Sequence, residues 1–356
     1  MVITHAWMGG ATGFVMVLAV VPLLEMLARR WRLFDPTGPL KIHSRPIPRI
    51  GGLALVLALL VGTIVSGVSH LVQVTFCLAL AWVGAAGLID DVRELHPATR
   101  LLMQAGAALL LCSGGWQAPL FHTRALNGAA ACLFLVASMN AFNFLDGADG
   151  VAAGVTVVIA VGYLLIPSGM ANSHLGSVVA WVLLGSCLGF LLFNLPPASI
   201  FMGDCGSTTL GFVTAFLGLN FYRATSSSGP RILLPLMFSG LPLLDLGLAV
   251  LRRMRKGMSP FSGDRQHFYD LLLTRGMSPG HVALTCCGAS VAFEVAGLFG
   301  ARNSWAIALP IYSLTVLAFL ITAISLGSFR AGELTAIINP REPCTPATPH
   351  PTRAKQ

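Results

Sequence analysis

Asn140 to Gly150 reads NAFNFLDGADG and sets two carboxylates and two carboxamides against the ends of hydrophobic runs long enough to span a bilayer. Ionisable groups at a membrane edge are costly and therefore mark function. Asp146 and Asp149 are three residues apart, with Gly147 and Gly150 after them, so both side chains can face one way over a closely approachable backbone. That arrangement suits a metal or a phosphate. A second acidic pair, Asp90 and Asp91, lies in GLIDDVRELHPATRLLMQ directly after an apolar run. Adjacent carboxylates at a helix C-terminus repel each other and oppose the helix dipole, so a positive group is expected beside them, with Arg93 or Arg100 within reach.

A third acidic stretch, FNLPPASIFMGDCGSTTLGF, ends one apolar run at Asn194, breaks it at Pro196 and Pro197, and sets Asp204 after Gly203 at the start of the next. A carboxylate among small residues at a helix N-terminus fits Mg²⁺, which takes one or two carboxylates and leaves its other positions to phosphate oxygens. Simple capping of the helix by Asp204 is the alternative, but it leaves the flanking glycines and Phe201 unexplained. Basic groups come from KIHSRPIPRIGG, with Lys41, His43, Arg45 and Arg49, and from SPFSGDRQHFYDLLLTRG, where Arg265 and His267 follow Gly263. Arg253, Arg265 and His267 can neutralise a diphosphate, the arginines through paired hydrogen bonds. The run Arg252, Arg253, Arg255 and Lys256 reads better as a bilayer-surface cluster touching anionic head groups. Carboxylates, basic groups and Gly-rich turns together point to phosphoryl transfer, which needs a bridging metal, charge neutralisation and a carboxylate to accept a proton or to attack.

The elements that must position these groups are membrane helices. The chain has 356 residues, of which 55% are hydrophobic and 10% charged, with a mean hydropathy of +0.77; an average soluble domain is about 25% charged. Apolar runs of about 20 residues fall near 8–28, 51–69, 71–89, 101–115, 128–145, 151–167, 174–194, 205–222, 231–251, 281–301 and 305–327. The expected fold is an all-α polytopic bundle of eleven transmembrane helices. Lys and Arg accumulate in cytoplasmic loops. Only Arg124, Arg223, Arg231 and Arg302 of the 22 basic residues fall on the other side, so the N-terminus is expected outside and the C-terminus inside. The net charge of +8 then needs no nucleic acid to explain it.

Arg29, Arg30 and Arg32 follow the first run and no basic residue precedes it, the reverse of a cleavable signal, so it is expected to stay as an anchor. The eight cysteines show no CxxC or Cys/His metal spacing and read as small packing residues. Residues 1–328 are expected to form one transmembrane catalytic domain and 329–356 a disordered, Pro- and Thr-rich cytoplasmic tail.

With these motifs in view, the chain resembles the polyprenyl-phosphate N-acetylhexosamine-1-phosphate transferases (glycosyltransferase family 4), above all the bacterial undecaprenyl-phosphate N-acetylglucosamine-1-phosphate transferases. The resemblance runs from about His43 to Gly276 and rests on five motifs in order: HSRPIPRIGG, DDVRELHPATRLLMQ, NAFNFLDGADG, FNLPPASIFMGDCGS and SPFSGDRQHFYDLL. It implies a multi-pass enzyme of the bacterial inner membrane, with its active site on the cytoplasmic face. Undecaprenyl phosphate, held among membrane lipid, would react with a UDP-N-acetylhexosamine to give undecaprenyl-diphosphate-sugar and UMP, initiating a cell-surface polysaccharide. Mg²⁺ is the implied cofactor, with Mn²⁺ as a substitute, and a homodimer is compatible with the resemblance.

Carried over by motif, Asp204 looks like the principal metal ligand, with Asn143 close to metal and diphosphate. Asp90 resembles the group that deprotonates the lipid phosphate, and Asp91 supports the same cluster. Asp146 and Asp149 match acids tied to nucleotide and diphosphate binding, one of which has also been considered as a nucleophile. Asn194 and Phe201 resemble the uracil side, where an aromatic face can stack; His43, Arg49 and Arg265 are the remaining substrate-binding candidates, and His267 completes the catalytic set. One departure stands out: where the acetylglucosamine transferases carry His-x-His-His, this chain has His267, Phe268, Tyr269 and Asp270. The departure bears on the sugar, and another UDP-N-acetylhexosamine is the runner-up. A secondary transporter would need midplane acids and an internal repeat; no repeat is visible, and Glu294, the sole mid-span acid, is expected to be a satisfied bundle contact.

Overall fold

A computed structural model describes residues 6–31, 33–35, 46–66, 70–167, 173–225 and 229–329. Lys41, His43, Arg45 and the chain after residue 329, which holds the expected tail, lie outside the described residues. The fold is all-helical apart from one two-residue pairing, in which β1 (Phe34–Asp35) runs antiparallel to β2 (Ile47–Pro48).

The helices are α1 (Ala6–Trp31), α2 (Gly52–Val65), α3 (His70–Arg93), α4 (Pro97–Ser113), α5 (Arg124–Leu145), α6 (Val151–Leu164), α7 (His174–Asn194) and α8 (Gly203–Ala224). They continue with α9 (Leu234–Phe238), α10 (Gly240–Arg255), α11 (Phe268–Thr274), α12 (Pro279–Gly300) and α13 (Trp305–Ser325). Among the described residues, every expected apolar run falls largely on helix. The ninth is not one rod, however: a 3₁₀ turn at Pro230–Leu233 leads into α9, and the chain bends by 72° between α9 and α10. Helix α11 falls inside the basic loop, where no helix was expected.

Among the described residues six helices are long and apolar enough to cross a bilayer, α1, α3, α5, α7, α12 and α13, or seven if the bent pair is one span. This is a multi-pass membrane protein. Helices α2 and α6 have 14 residues each, roughly 21 Å at 1.5 Å per residue, against a hydrocarbon core of about 30 Å.

Helix α8 is absent from the six for a physical reason. It is buried on every side from Gly203 to Tyr222, packed against α2, α3 and α5. Its small and hydroxylic residues lower its hydropathy, yet they let neighbouring helices approach closely. Aromatic rings lock its outer half, with Phe216 4.2 Å from Phe76 of α3 and 4.7 Å from Trp116 between ring centroids. Helix α7 packs between α1 and α6, and α12 between α6 and α13. The ends of α3, α5, α7 and α10 thereby meet the starts of α2, α4, α6 and α8.

Candidate active site

The acidic pair sits at a tight helix-to-helix turn. Glu94 stops α3 with a positive φ of 46°, a left-handed residue that ends a helix as glycine commonly does. His96 then caps α4 by accepting the Ala98 amide, and Pro97 takes the first helical position, where its missing N–H costs nothing. Only three residues separate the two helices, so Arg100 on the first turn of α4 faces back to Asp90, Nε to Oδ2 2.6 Å. The other oxygen of Asp90 accepts the Leu95 amide at 2.8 Å. A small cleft opens beside them, lined by Asp90, Arg100, Gln104 and Thr208 with Leu95 and Met103.

Asp91 faces the other way and reaches the start of α8. Its two oxygens accept the amides of Asp204 and Cys205 at 2.8 and 2.9 Å, groups that a helix N-terminus leaves without intrahelical partners. The cap of α8 therefore comes from α3, not from Asp204. Gly203 makes this possible: its φ is +65°, and an added Cβ would lie 2.6 Å from the Asp91 carboxylate. The two acids that seemed to repel at one helix end are separated by partners, Asp90 on Arg100 and Asp91 on a helix N-terminus, which also favours negative charge.

Arg49 is delivered by a backbone ladder. Phe201 N–H donates to Pro48 C=O at 2.8 Å, and the amides of Gly51 and Gly52 donate to Phe201 and Met202 at 2.9 Å each. Running beside the FMGD segment in this way, Arg49 bridges Asp91 (Nε–Oδ1 3.2 Å) and Asp204 (NH2–Oδ2 3.0 Å). Arg100 comes within 3.8 Å of Asp204 as well. The second oxygen of Asp204 is in direct contact with the Asn143 carboxamide of α5. Three motifs thus converge on the carboxylate of the fourth.

The third and fourth motifs are stitched together. Asn194 Oδ1 accepts the Gly150 amide at 3.1 Å while its Nδ2 donates to Ile200 C=O at 3.0 Å, and Asp149 accepts the Ala198 amide at 3.0 Å. Both functions of Asn194 are thus engaged with backbone, and Phe201 is half-buried with its N–H and C=O taken by the ladder. Asp146 is held well above the usual carboxylate range by its enclosure, opposed by the charge of Arg49 and reinforced by Asp204, Asp91 and Asp149. A Cβ on Gly147 would collide with the Tyr269 hydroxyl, so the fifth motif closes directly over the third.

The fifth motif is built around buried charges. Asp264 accepts from Arg252 Nε at 2.7 Å and Arg253 NH2 at 2.8 Å. Arg252 also donates to the Ser328 hydroxyl at 2.9 Å and Arg253 to Pro260 C=O at 2.7 Å. The expected head-group cluster is overturned here: these two arginines are 2% and 1% exposed. Burial raises the Asp264 pKa, but both arginines outweigh it and hold the carboxyl below its ordinary value. His267 Nδ1 lies 2.7 Å from Asp245 Oδ2, and Asp245 Oδ1 accepts the Phe268 amide at 2.9 Å. Burial depresses His267, yet Asp245 first, then Asp270 and Asp264, raise it overall. Asp270, whose burial is only partly offset by Arg265 at 3.4 Å and by His267, is pushed up to about 6.

The candidate residues therefore fall into two neighbouring groups. Asp90, Asp91, Asn143, Asp146, Asp204 and Arg49 gather at one junction, with Asp149 and Asn194 in the loops beside it; Arg265 and His267 belong to the second group. Phe144 joins the groups: its ring lies 4.7 Å from the Arg253 guanidinium and 5.0 Å from the His267 ring, and it follows Asn143 in sequence. Asp245 was missed. It lies seven and eight residues before Arg252 and Arg253 on α10, hence on their face, and that periodicity was the available signal. Glu294 is also not the satisfied contact expected, since neither carboxylate oxygen has a hydrogen-bond partner among the described residues.

Comparison with known proteins gives the same direction. The profile of glycosyl transferase family 4 matches residues 72–222. The decaprenyl-phosphate N-acetylglucosaminephosphotransferase of Mycobacterium leprae is 32% identical over 88% of this chain and 89% of its own length. A probable undecaprenyl-phosphate N-acetylglucosaminyl 1-phosphate transferase of Bacillus subtilis is 29% identical over 74% and 75%. The undecaprenyl-phosphate alpha-N-acetylglucosaminyl 1-phosphate transferase of Escherichia coli K12 is 27% identical over 71% and 72%.

Proposed function

The chain belongs to glycosyl transferase family 4, and on that premise we propose that it transfers N-acetylglucosamine 1-phosphate from UDP-N-acetylglucosamine to undecaprenyl phosphate, releasing UMP. The observation that carries this reading is the convergence on Asp204: Arg49, Asp91, Arg100 and Asn143, from four separate segments, all reach it. Such a junction serves a polyphosphate, because it pairs charge-neutralising guanidiniums with hard oxygen donors.

The donor set fits Mg²⁺, or Mn²⁺ in its place. Asp204 would hold the ion with Asn143, whose Nδ2 faces Asp204 in this structure and whose carboxamide oxygen would serve the ion once the amide is turned about; no cluster of three His, Cys, Asp or Glu side chains that could cage a metal exists among the described residues. One carboxylate and one carboxamide leave most positions to phosphate oxygens, as Mg²⁺ at a substrate phosphate usually requires. When bound, the ion would supply positive charge that stabilises the donor's phosphate oxygens. The chain's own groups do the rest. Arg49, Arg100 and Arg265 neutralise phosphate oxygens, and Asp90, beside the cleft, takes the proton of the lipid phosphate. Asp91 fixes the start of α8 and so the direction of Asp204. Asp146, Asp149 and His267 orient the diphosphate, Asn194 and Phe201 shape the uracil side, and His43 completes the substrate contacts from the first loop.

On the proposed topology of eleven crossings with the N-terminus outside, this junction would lie on the cytoplasmic face of a bacterial inner membrane, where a UDP-sugar is available. The Lys and Arg distribution supports that orientation, and so does the gathering of Asp90, Asp91, Asp146, Asp149 and Asp204 at one set of helix ends. Tyr269 and Asp270, where the relatives' pattern has histidines, favour keeping a second UDP-N-acetylhexosamine in view. Purified protein incubated with undecaprenyl phosphate, Mg²⁺ and each UDP-sugar in turn is expected to release UMP with UDP-N-acetylglucosamine. Release with a different UDP-sugar alone reassigns the sugar, and no release with any of them overturns the proposal.

A further inference from the structure

We propose that Asp245, in the membrane helix α10 and outside all five motifs, is a positioning residue that fixes the ring of His267 so that Nε2 alone is presented to the donor diphosphate. The proposal rests on the transferase reading above.

A single carboxylate grips His267 twice. Asp245 Oδ2 meets Nδ1 at 2.7 Å, and Oδ1 accepts the Phe268 amide at 2.9 Å, so ring and backbone are held against the same group. Asp270 adds a third tie by accepting the His267 amide at 3.3 Å. The ring is enclosed by the rings of Phe144 at 5.0 Å and Tyr269 at 5.9 Å. Asp245 and His267 are both 4% exposed. Rotation about χ2 would break the 2.7 Å contact, so Nδ1 is committed, and Nε2, 3.6 Å from Asp264 Oδ1, is the nitrogen left for substrate. With Nδ1–H donated to a carboxylate, the neutral ring leaves Nε2 as an acceptor, and the protonated ring makes it a charged donor.

The charge state follows from the neighbours. Asp245 on α10, Asp264 in the loop (Oδ1 3.6 Å from Nε2) and Asp270 on α11 all favour the cation; Arg253 faces the ring across Phe144 and also shares that Asp264 oxygen with Nε2, opposing it, and Arg265 is drawn to Asp270. Asp264 is already shared by Arg252 and Arg253. Asp245 is therefore the carboxylate that acts mainly on the histidine. An imidazolium Nε2–H beside the junction donates a charge-assisted bond to a phosphate oxygen.

Asp245→Asn keeps the shape and removes the charge. Without the carboxylate His267 loses its proton at lower pH, so the alkaline limb of kcat/KM should move down by about one unit, the usual size of one close charge partner's effect. At neutral pH the KM for the UDP-sugar should rise by about tenfold, more than kcat falls, because one unit of pKa is one decade of protonated population. The same substitution in a His267→Gln background should add nothing, since the two act as one unit, and Asp245→Glu should recover part of the shift. Independently of turnover, the ring nitrogens of the full-length protein labelled with ¹⁵N-histidine should titrate lower in Asp245→Asn than in the natural chain. An unmoved ring titration in a folded Asp245→Asn protein, or a loss that adds in full to His267→Gln, overturns the proposal. If Asp245→Asn does not fold, Asp245→Glu decides by whether the titration moves. Failure of the transferase reading would show separately, as no UMP release from the natural chain with the ring titration intact.

Discussion

The junction around Asp204 and the clamp around Asp264 are built from the same side chains and differ in their balance. At the junction five carboxylates, Asp90, Asp91, Asp146, Asp149 and Asp204, face two guanidiniums, Arg49 and Arg100. In the clamp three carboxylates, Asp245, Asp264 and Asp270, face Arg252, Arg253, Arg265 and His267. The junction is also more open: the side chains of Arg49 and Arg100 are 33% and 31% exposed, against 2% for Arg252 and Arg253. An excess of negative charge beside movable arginines is a place for a cation and an anionic substrate. The closed pairs of Arg252 and Arg253 with Asp264 are a scaffold, because paired and hydrogen-bonded charges are the ones an interior tolerates; Arg265, 28% exposed, and His267 are the clamp's groups assigned to substrate.

That contrast breaks first at Asp204. Asp204→Ala is expected to abolish UMP release even at high Mg²⁺, by roughly a thousandfold or more, the several kcal/mol that metal charge stabilisation supplies. Its fold should survive, because the cap of α8 is Asp91 and not Asp204. Normal activity in this variant would refute its role as ligand and remove the distinction between the two regions.

The clamp should fail in the opposite way. Asp264→Ala leaves two buried arginines without their shared carboxylate, and breaking a buried pair costs about 3–5 kcal/mol. Thermal unfolding in detergent should fall steeply, and activity should fall with it. Arg49→Ala makes the comparison sharper: a partly exposed pair contributes about 1 kcal/mol or less to stability, so activity should drop while the unfolding temperature barely moves. Equal stability losses in the two variants would erase the difference between site and scaffold.

These groups were legible in the sequence to different degrees. Motifs that place acids at helix ends announced the junction, because a charge at a membrane edge has few uses other than function. Its internal logic was not legible: that Asp91 caps α8, and that Arg49 arrives by a backbone ladder, depend on contacts 113 and 155 residues apart in the chain. The bend between α9 and α10 was hidden because hydropathy integrates over a window and reports apolar length, not straightness. Arg252 and Arg253 were misread for a similar reason. Basic residues beside a bilayer look alike until a specific carboxylate is seen to claim them. Helix α8 inverts the usual expectation: the most enclosed helix is among the less apolar, since close packing there relies on glycine, serine and threonine.

A smaller effect appears in the clamp's response to pH. Asp270 titrates near 6 in the folded protein, above the ordinary carboxylate value of about 3.9, so the unfolded chain ionises first and stability falls as pH rises from about 4 to 6. His267 is raised, so its contribution is full below about 6.5 and is lost at higher pH. Both slopes run the same way. The unfolding temperature should decline between pH 5 and 8, and Asp270→Asn should flatten the acidic part of that decline, by about 1–2 kcal/mol in all for a buried group. An unchanged slope would mean that Asp270 stays ionised and that the clamp is more hydrated than its burial implies.

The smallest expected effect lies beside the largest scaffold effect, within the run Arg252, Arg253, Met254, Arg255 and Lys256. Arg252 and Arg253 are buried against Asp264, whereas Arg255, the last residue of α10, is exposed although it lies only about 60° round the helix from Arg252. Arg255 is exposed and lies 4.8 Å over the ring of Phe329, a contact of about 0.5–1 kcal/mol at such a site. Arg255→Ala should therefore leave UMP release unchanged and lower the unfolding temperature by a few degrees at most. Any charge-dependent change should appear in attachment to anionic lipid, where a basic residue near the surface is worth about 1 kcal/mol. If Arg255→Ala instead costs as much stability as Arg253→Ala, the four basic residues act as one cluster, and burial against Asp264 does not decide which of them belong to the scaffold.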